Sequence, residues 1–153
     1  MGRSEIAWLV SELGFSPKQL QDKEIGFDDR LRVQKAAFLL NYLEVMPFYE
    51  FDFDMYLNGP YSTQLSREYY ALSGIIPEEP KRLTRYEKEI VLWFNDHDSK
   101  WLEIASSIIL VKKENKDFTR GMIYRILLVS KPWVEESVFE TVYDELESKH
   151  LLE

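Results

Sequence analysis

The chain of 153 residues contains no cysteine, only two histidines and no long hydrophobic run. Without cysteine, disulfides, thiolate zinc sites and cysteine nucleophiles are excluded. No apolar stretch approaches the roughly 20 residues that a membrane-spanning helix needs, and charged residues interrupt the N-terminus, so we expect no signal peptide and no membrane partner. The formal net charge of −8 disfavours non-specific binding to a phosphate backbone. These features predict an acidic, cytoplasmic globular protein.

Hydrophobic periodicity then predicts a mainly helical α+β fold in one domain, residues 1–153. About seven helices are expected around a small β element. A proline-containing loop separates an N-terminal half, residues 1–76, from a helical C-terminal half, residues 81–153. Thr84 and Glu87 form the pattern of a capping box at the start of a helix. In the helix expected over residues 118–129, the predicted inward side chains are Met122, Ile123, Ile126 and Leu127.

One stretch, residues 50–57, alternates between apolar and acidic side chains, which is the pattern of a strand with one wet face. Its apolar face would carry Phe51, Phe53, Met55 and Leu57. A single strand needs a partner, and the sequence offers two candidates. One is residues 23–27, and the other is the same strand of a second copy, which would make a homodimer.

A lysine lies within the apolar stripe of the helix that precedes this strand. Lys35 stands four residues after Leu31 and four before Leu39, so it shares their face. It must therefore extend to water or find a buried partner, because an unpaired buried ammonium is very costly. We predict that it fastens the helix to the turn after the strand. The alternatives are a ligand or partner pocket beside the turn and a catalytic lysine of lowered pKa. The motif residues are Lys35, Tyr56, Asn58, Gly59, Pro60, Tyr61 and Ser62.

The amino-acid sequence of this region resembles that of the YwgA-like proteins and, more distantly, that of the SocA-like (Panacea) antitoxin domains. The resemblance is carried by Gln34-Lys35 followed by an apolar run, and by the later Gly59-Pro60-Tyr61-Ser62. It implies a regulatory or antitoxin-like module that works by binding another protein, such as a basic, toxin-like partner. Fold resemblance alone does not fix function.

Three carboxylates on the wet face of the predicted strand, Glu50, Asp52 and Asp54, form what we call the acidic strip. Their ordinary role is to keep an edge strand soluble, and their functional role would be to dock a basic partner. The alternative function is a DNA-binding transcriptional regulator with a helix-turn-helix in residues 99–131, and residues 144–152 resemble the end of winged-helix domains. Its candidate nucleic-acid contacts are Lys112, Lys113, Lys116, Arg120 and Arg125.

Catalytic and metal-binding signatures are not found in the sequence. There is no nucleophile elbow, no zinc-protease helix motif and no glycine-rich phosphate loop. We therefore expect a protein that is not an enzyme, without catalytic residues, metal or cofactor. Two classes of function remain: a protein-binding module, which we favour, and a DNA-binding regulator.

Overall fold

Eight α-helices and one antiparallel β-hairpin make up the computed structural model, which describes residues 2–153. This confirms the expected mainly helical α+β class, with eight helices where about seven were expected. The helices are α1 (Arg3–Glu12), α2 (Pro17–Gln21), α3 (Phe27–Tyr42), α4 (Thr63–Tyr69), α5 (Arg85–Asn95), α6 (Ser99–Glu114), α7 (Arg120–Ser130) and α8 (Glu136–Ser148). A 3-10 helix spans Phe48–Glu50, and the strands are β1 (Asp54–Tyr56) and β2 (Gly59–Tyr61).

Two long helices, α3 and α6, form the centre of the molecule. Every residue from Val33 to Asn41 of α3 is buried, as is every residue from Leu102 to Val111 of α6. A helix that is buried on all sides lies in the core rather than at its edge. The two helices pack on each other, and α1, α5 and α8 pack around them. One apolar core therefore joins side chains from both halves of the chain.

Helix ends follow the local sequence closely. The capping box at Thr84 is formed in full, because its hydroxyl accepts a bond from the Glu87 amide and the Glu87 carboxylate accepts one from the Thr84 amide. Ser62 caps α4 by accepting a bond from the Leu65 amide. Such caps satisfy amides that have no partner within the helix.

The predicted strand over residues 50–57 is wrong in its extent and in its partner. Only Asp54–Tyr56 is a strand, and it pairs with Gly59–Tyr61, which follow it directly, rather than with residues 23–27. The reason lies in α3, where the Asn41 side-chain amide donates to the carbonyls of Phe48 and Phe51. These bonds hold the backbone of residues 48–51 in turns. The alternation of apolar and acidic residues therefore does not produce a strand before Asp54.

Exposure of the apolar side chains also differs from the expectation. Phe51 and Phe53 are half-buried, whereas Met55 is 38% exposed and Leu57 is 79% exposed. On α7 the core takes only Ile123 and Leu127, and the predicted inward residues Met122 and Ile126 face solvent. Local periodicity marks an apolar face, but tertiary packing decides how much of that face is covered. None of the helices within residues 2–153 is both long and apolar enough to cross a membrane.

Candidate functional site

Polar side chains on the buried face of α3 hold the segment around the hairpin. The Gln34 amide makes two bonds to the backbone of Ser62, donating to its carbonyl and accepting from its amide, both at 2.9 Å. One residue later, the Lys35 ammonium donates to the Pro60 carbonyl at 2.8 Å. Lys35 is 1% exposed, so this bond lies inside the protein. It joins the helix to the predicted segment Asn58–Ser62, but Pro60 lies in strand β2 and not in a turn as the sequence predicted.

The hairpin tip lies between further buried charges. The Asn58 amide donates to the Glu103 carboxylate at 3.3 Å, and the Lys131 ammonium donates to the Leu57 carbonyl at 3.4 Å. Glu103 belongs to α6, and Lys131 is the C-terminal cap of α7, so two more helices hold the same tip. Both side chains are buried. One carboxylate and two ammonium groups thus surround the base and the tip of the hairpin.

Burial changes the proton affinity of both lysines. It lowers the pKa of Lys35 to about 7, because the charged form loses its hydration. The Glu103 carboxylate opposes this lowering, whereas the Lys131 ammonium adds to it. Burial also lowers the pKa of Lys131, again against the attraction of Glu103. The site therefore contains a lysine that is 1% exposed and whose pKa burial lowers to about 7.

Gly59 is required where the hairpin meets α6. Its φ of +96° is one that side chains with a Cβ rarely adopt. A Cβ there would lie 3.2 Å from the hydroxyl oxygens of Ser106 and Ser107 and 3.3 Å from the Lys35 nitrogen. The Ser106 hydroxyl donates to the Leu102 carbonyl, whereas that of Ser107 has no hydrogen-bond partner within residues 2–153. Small residues on α6 and glycine on β2 allow this close approach.

The structure brings most of the predicted motif together. Lys35, Gly59, Pro60 and Ser62 are buried at one point. Tyr56 and Tyr61 lie farther out, with their rings edge to face at 5.4 Å and Tyr56 exposed. The sequence reasoning missed the bonding roles of Gln34, Asn41, Glu103 and Lys131. Their signal was a polar or charged residue inside an apolar run, as for Glu103 between Leu102 and Ile104.

The acidic strip lies on the outside of this site. The side chains of Glu50, Asp52 and Asp54 are all exposed, and none forms an ion pair with another described residue. They lie in three different local structures, because Glu50 ends the 3-10 helix and Asp54 begins β1. An open cavity of about 550 Å³ lies beside Asp52 and Asp54, and its walls include Phe53 and, on α6, Lys113.

Three of the predicted nucleic-acid contacts, Lys112, Lys113 and Lys116, line one cavity, whereas Arg120 is bound by carboxylates. Lys112 donates to the carbonyls of Lys116 and Phe118, and the Arg120 guanidinium bonds with Glu140, Asp144 and Glu147. Lys113, Lys116 and Arg125 remain exposed. The outward side chains of α7 include Met122, Ile126 and Val129, which are apolar.

Within residues 2–153, no group of three or more histidine, aspartate or glutamate side chains is arranged to hold a metal ion. No protein-family model, curated protein or solved structure matches the chain.

Proposed function

We propose that this chain is a non-enzymatic, regulatory or antitoxin-like module that binds another protein through the outer side of its hairpin. One observation carries the proposal. Met55, Tyr56 and Leu57 are three consecutive large apolar side chains that are exposed by 38%, 49% and 79%. Large apolar side chains exposed in one short segment and flanked by polar residues are typical of an interaction site.

The rigidity of the hairpin supports the proposal. The carbonyls of Leu57 and Pro60 accept bonds from Lys131 and Lys35, and the Asn58 side chain donates to Glu103. Gln34 binds the backbone of Ser62, which directly follows the hairpin. A surface that is already ordered loses little conformational entropy when a partner binds. The buried polar groups thus act as a scaffold in this proposal, with the 1% exposed Lys35 kept away from any substrate.

Charge indicates the kind of partner. Asp54 of the acidic strip directly precedes the apolar side chains, and none of the three carboxylates forms an ion pair with a described residue. Complementary charge across an interface raises the rate of association and selects among partners. A basic protein therefore fits this surface best, in agreement with the toxin-like partner that the resemblance to SocA-like domains implies. We place this interaction in the cytoplasm.

DNA binding is the second candidate. The observation in its favour is that Lys113, Lys116 and Arg125 are exposed in the region where a helix-turn-helix was predicted. It is the weaker candidate because Arg120 is already bound by three carboxylates and because α6, its first helix, is buried. Phosphate contacts need free cations.

Photo-crosslinking tests the proposal directly. A photoreactive amino acid placed at Leu57 of the full chain should capture a basic protein from host lysate. The same residue at Ile76, which is equally exposed but lies in the loop before α5, is the matched control. Changing Glu50, Asp52 and Asp54 together to asparagine should reduce capture about tenfold, since each exposed charge pair contributes roughly 0.2–1 kcal/mol.

Three results would count against the proposal. The first is equal capture at Leu57 and Ile76, and the second is capture at Leu57 that does not change in the triple asparagine variant. The third is a gel shift with genomic DNA fragments that weakens steeply with salt and disappears when Lys113, Lys116 and Arg125 are changed to glutamine. That result would favour the DNA-binding candidate.

A further inference from the structure

The hairpin has one covered edge and one open edge. In an antiparallel pair, residues that exchange two backbone bonds alternate with residues that exchange none. Met55 is opposite Pro60, and proline has no amide hydrogen. This must therefore be a non-bonded pair, in which the backbone groups of both residues point away from the hairpin. On the β2 side, the direction away from the hairpin is toward the protein interior. There the Pro60 carbonyl accepts a hydrogen bond from the Lys35 ammonium.

On the β1 side, the amide and carbonyl of Met55 point outward. Asp54, the one residue between Met55 and Phe53, is opposite Tyr61, so its backbone groups face β2. Phe53 lies just before β1, and continuing the same alternation through Asp54 gives its backbone groups the outward direction of Met55. The Asp52 amide, one residue earlier, donates to the Gln64 side chain. No described residue forms a hydrogen bond with the backbone of Phe53 or Met55. This leaves a short row of unpaired donors and acceptors, which is a template for another strand.

We infer that β1 receives an extended, lysine- or arginine-rich segment of the partner protein, which adds a strand along Phe53–Met55. This inference rests on the proposed function and names the mode and chemistry of binding. Strand addition takes affinity from main-chain bonds and specificity from alternate side chains. Here the alternate side chains of the incoming strand meet Asp52, Asp54 and the cavity that these residues line.

Charge explains why the occupant is a basic segment and not a second copy. Pairing two copies along β1 would bring Asp52 and Asp54 of one copy close to those of the other, between proteins that each carry a net charge of −8. Like charges across an interface are strongly unfavourable. A strand with lysine or arginine at alternate positions instead places opposite charges face to face, which stabilises cross-strand pairs.

A proline substitution separates main-chain pairing from side-chain contact. Met55→Pro removes the outward amide hydrogen and shortens the side chain, and proline is tolerated at a strand edge whose amide faces solvent. Met55→Val is the control, since it shortens the same side chain and keeps the amide. The probe is a synthetic decapeptide of alternating lysine and valine, with a glutamate–valine peptide as its counterpart. Peptide binding is measured by fluorescence anisotropy on the full chain.

We expect the lysine peptide to bind the wild type and the glutamate peptide not to bind. Met55→Pro should weaken the affinity at least tenfold, and Met55→Val less than threefold. Amide hydrogen exchange should show that the peptide protects Met55 and Phe53. Equal affinity for both variants would overturn strand addition, and so would protection confined to other residues. A wild-type dimer in light scattering that Met55→Pro dissociates would show that the occupant is a second copy and overturn the basic segment.

The two proposals fail separately. If crosslinking from Leu57 captures a basic protein equally well with Met55→Pro, the hairpin is the contact surface but strand addition is wrong. If nothing is captured from Leu57 in any variant, the proposed function itself is wrong. Circular dichroism and urea unfolding show whether Met55→Pro is folded. A folded variant that has lost only peptide binding supports the inference.

Discussion

Replacing Lys35 by methionine should change how the stability of the protein depends on pH. Methionine has a similar length and is apolar, so it fills the same space without a charge. The variant loses the bond to the Pro60 carbonyl, which leaves a buried acceptor unpaired at a cost of about 1–3 kcal/mol. It also removes a buried ammonium that faces Glu103 and Lys131. Which of these effects dominates depends on whether the wild-type lysine is charged.

The sign follows from the lowered pKa of Lys35, about 7 in the folded protein. The unfolded chain has the ordinary lysine pKa of about 10.4. Between these two values the unfolded chain binds more protons, so the wild type gains stability as the pH rises through this window. Below this window Lys35 is charged in both states, so the stability of the folded protein is reduced by the whole cost of burying the charge. The slope reaches about 1.4 kcal/mol per pH unit, which amounts to about 2 kcal/mol from pH 7 to pH 9.

Urea unfolding at several pH values, followed by tryptophan fluorescence and circular dichroism, measures this difference. The free energy of unfolding of the wild type minus that of Lys35→Met should rise by about 2 kcal/mol between pH 7 and pH 9. Lys23→Met, at an exposed lysine, is the control and should give a constant difference. A constant difference for Lys35→Met as well would refute the reasoning, because it would mean that this lysine titrates as it does in water.

Two further substitutions test the local geometry by the same urea assay. Gly59→Ala should destabilise the fold by about 2 kcal/mol, and by clearly more than Gly74→Ala. Both glycines have positive φ, but only Gly59 has atoms within 4 Å of the added Cβ, so equal losses would contradict the crowding at Ser106 and Ser107. Thr84→Ala should cost about 1 kcal/mol by removing the cap of α5. Ser99→Ala, beside a helix cap but not part of it, should cost less, and similar losses would argue against the capping box.

Short-range features of the fold could be predicted from the sequence. The capping box at Thr84 and the cap at Ser62 depend on residues three positions apart, so the local sequence contains everything that forms them. The burial of Lys35 followed from its place in an apolar stripe, and the need for a buried partner followed from its charge. The predicted contact with the segment Asn58–Ser62 is present as the bond to Pro60.

Long-range features were not accessible in this way. The alternation over residues 50–57 resembles a strand, but the Asn41 side chain of α3 donates to the Phe48 carbonyl just before this stretch and to the Phe51 carbonyl within it, and holds the backbone there in turns. The apolar residues of α7 have helical spacing, but no neighbouring element covers Met122 and Ile126. In both cases the outcome depends on whether another element contacts the residues, so it cannot be predicted from the local pattern.

The sequence by itself determined the helical class, the helix caps and the presence of a buried lysine beside a glycine–proline motif. Only the tertiary structure decided which groups surround that lysine and which edge of the hairpin stays open. The physical reason is that caps and periodicity act over one or two turns of the chain. Burial, pKa and an unpaired strand edge instead depend on groups that folding brings together, such as Glu103 and Lys131 around Lys35.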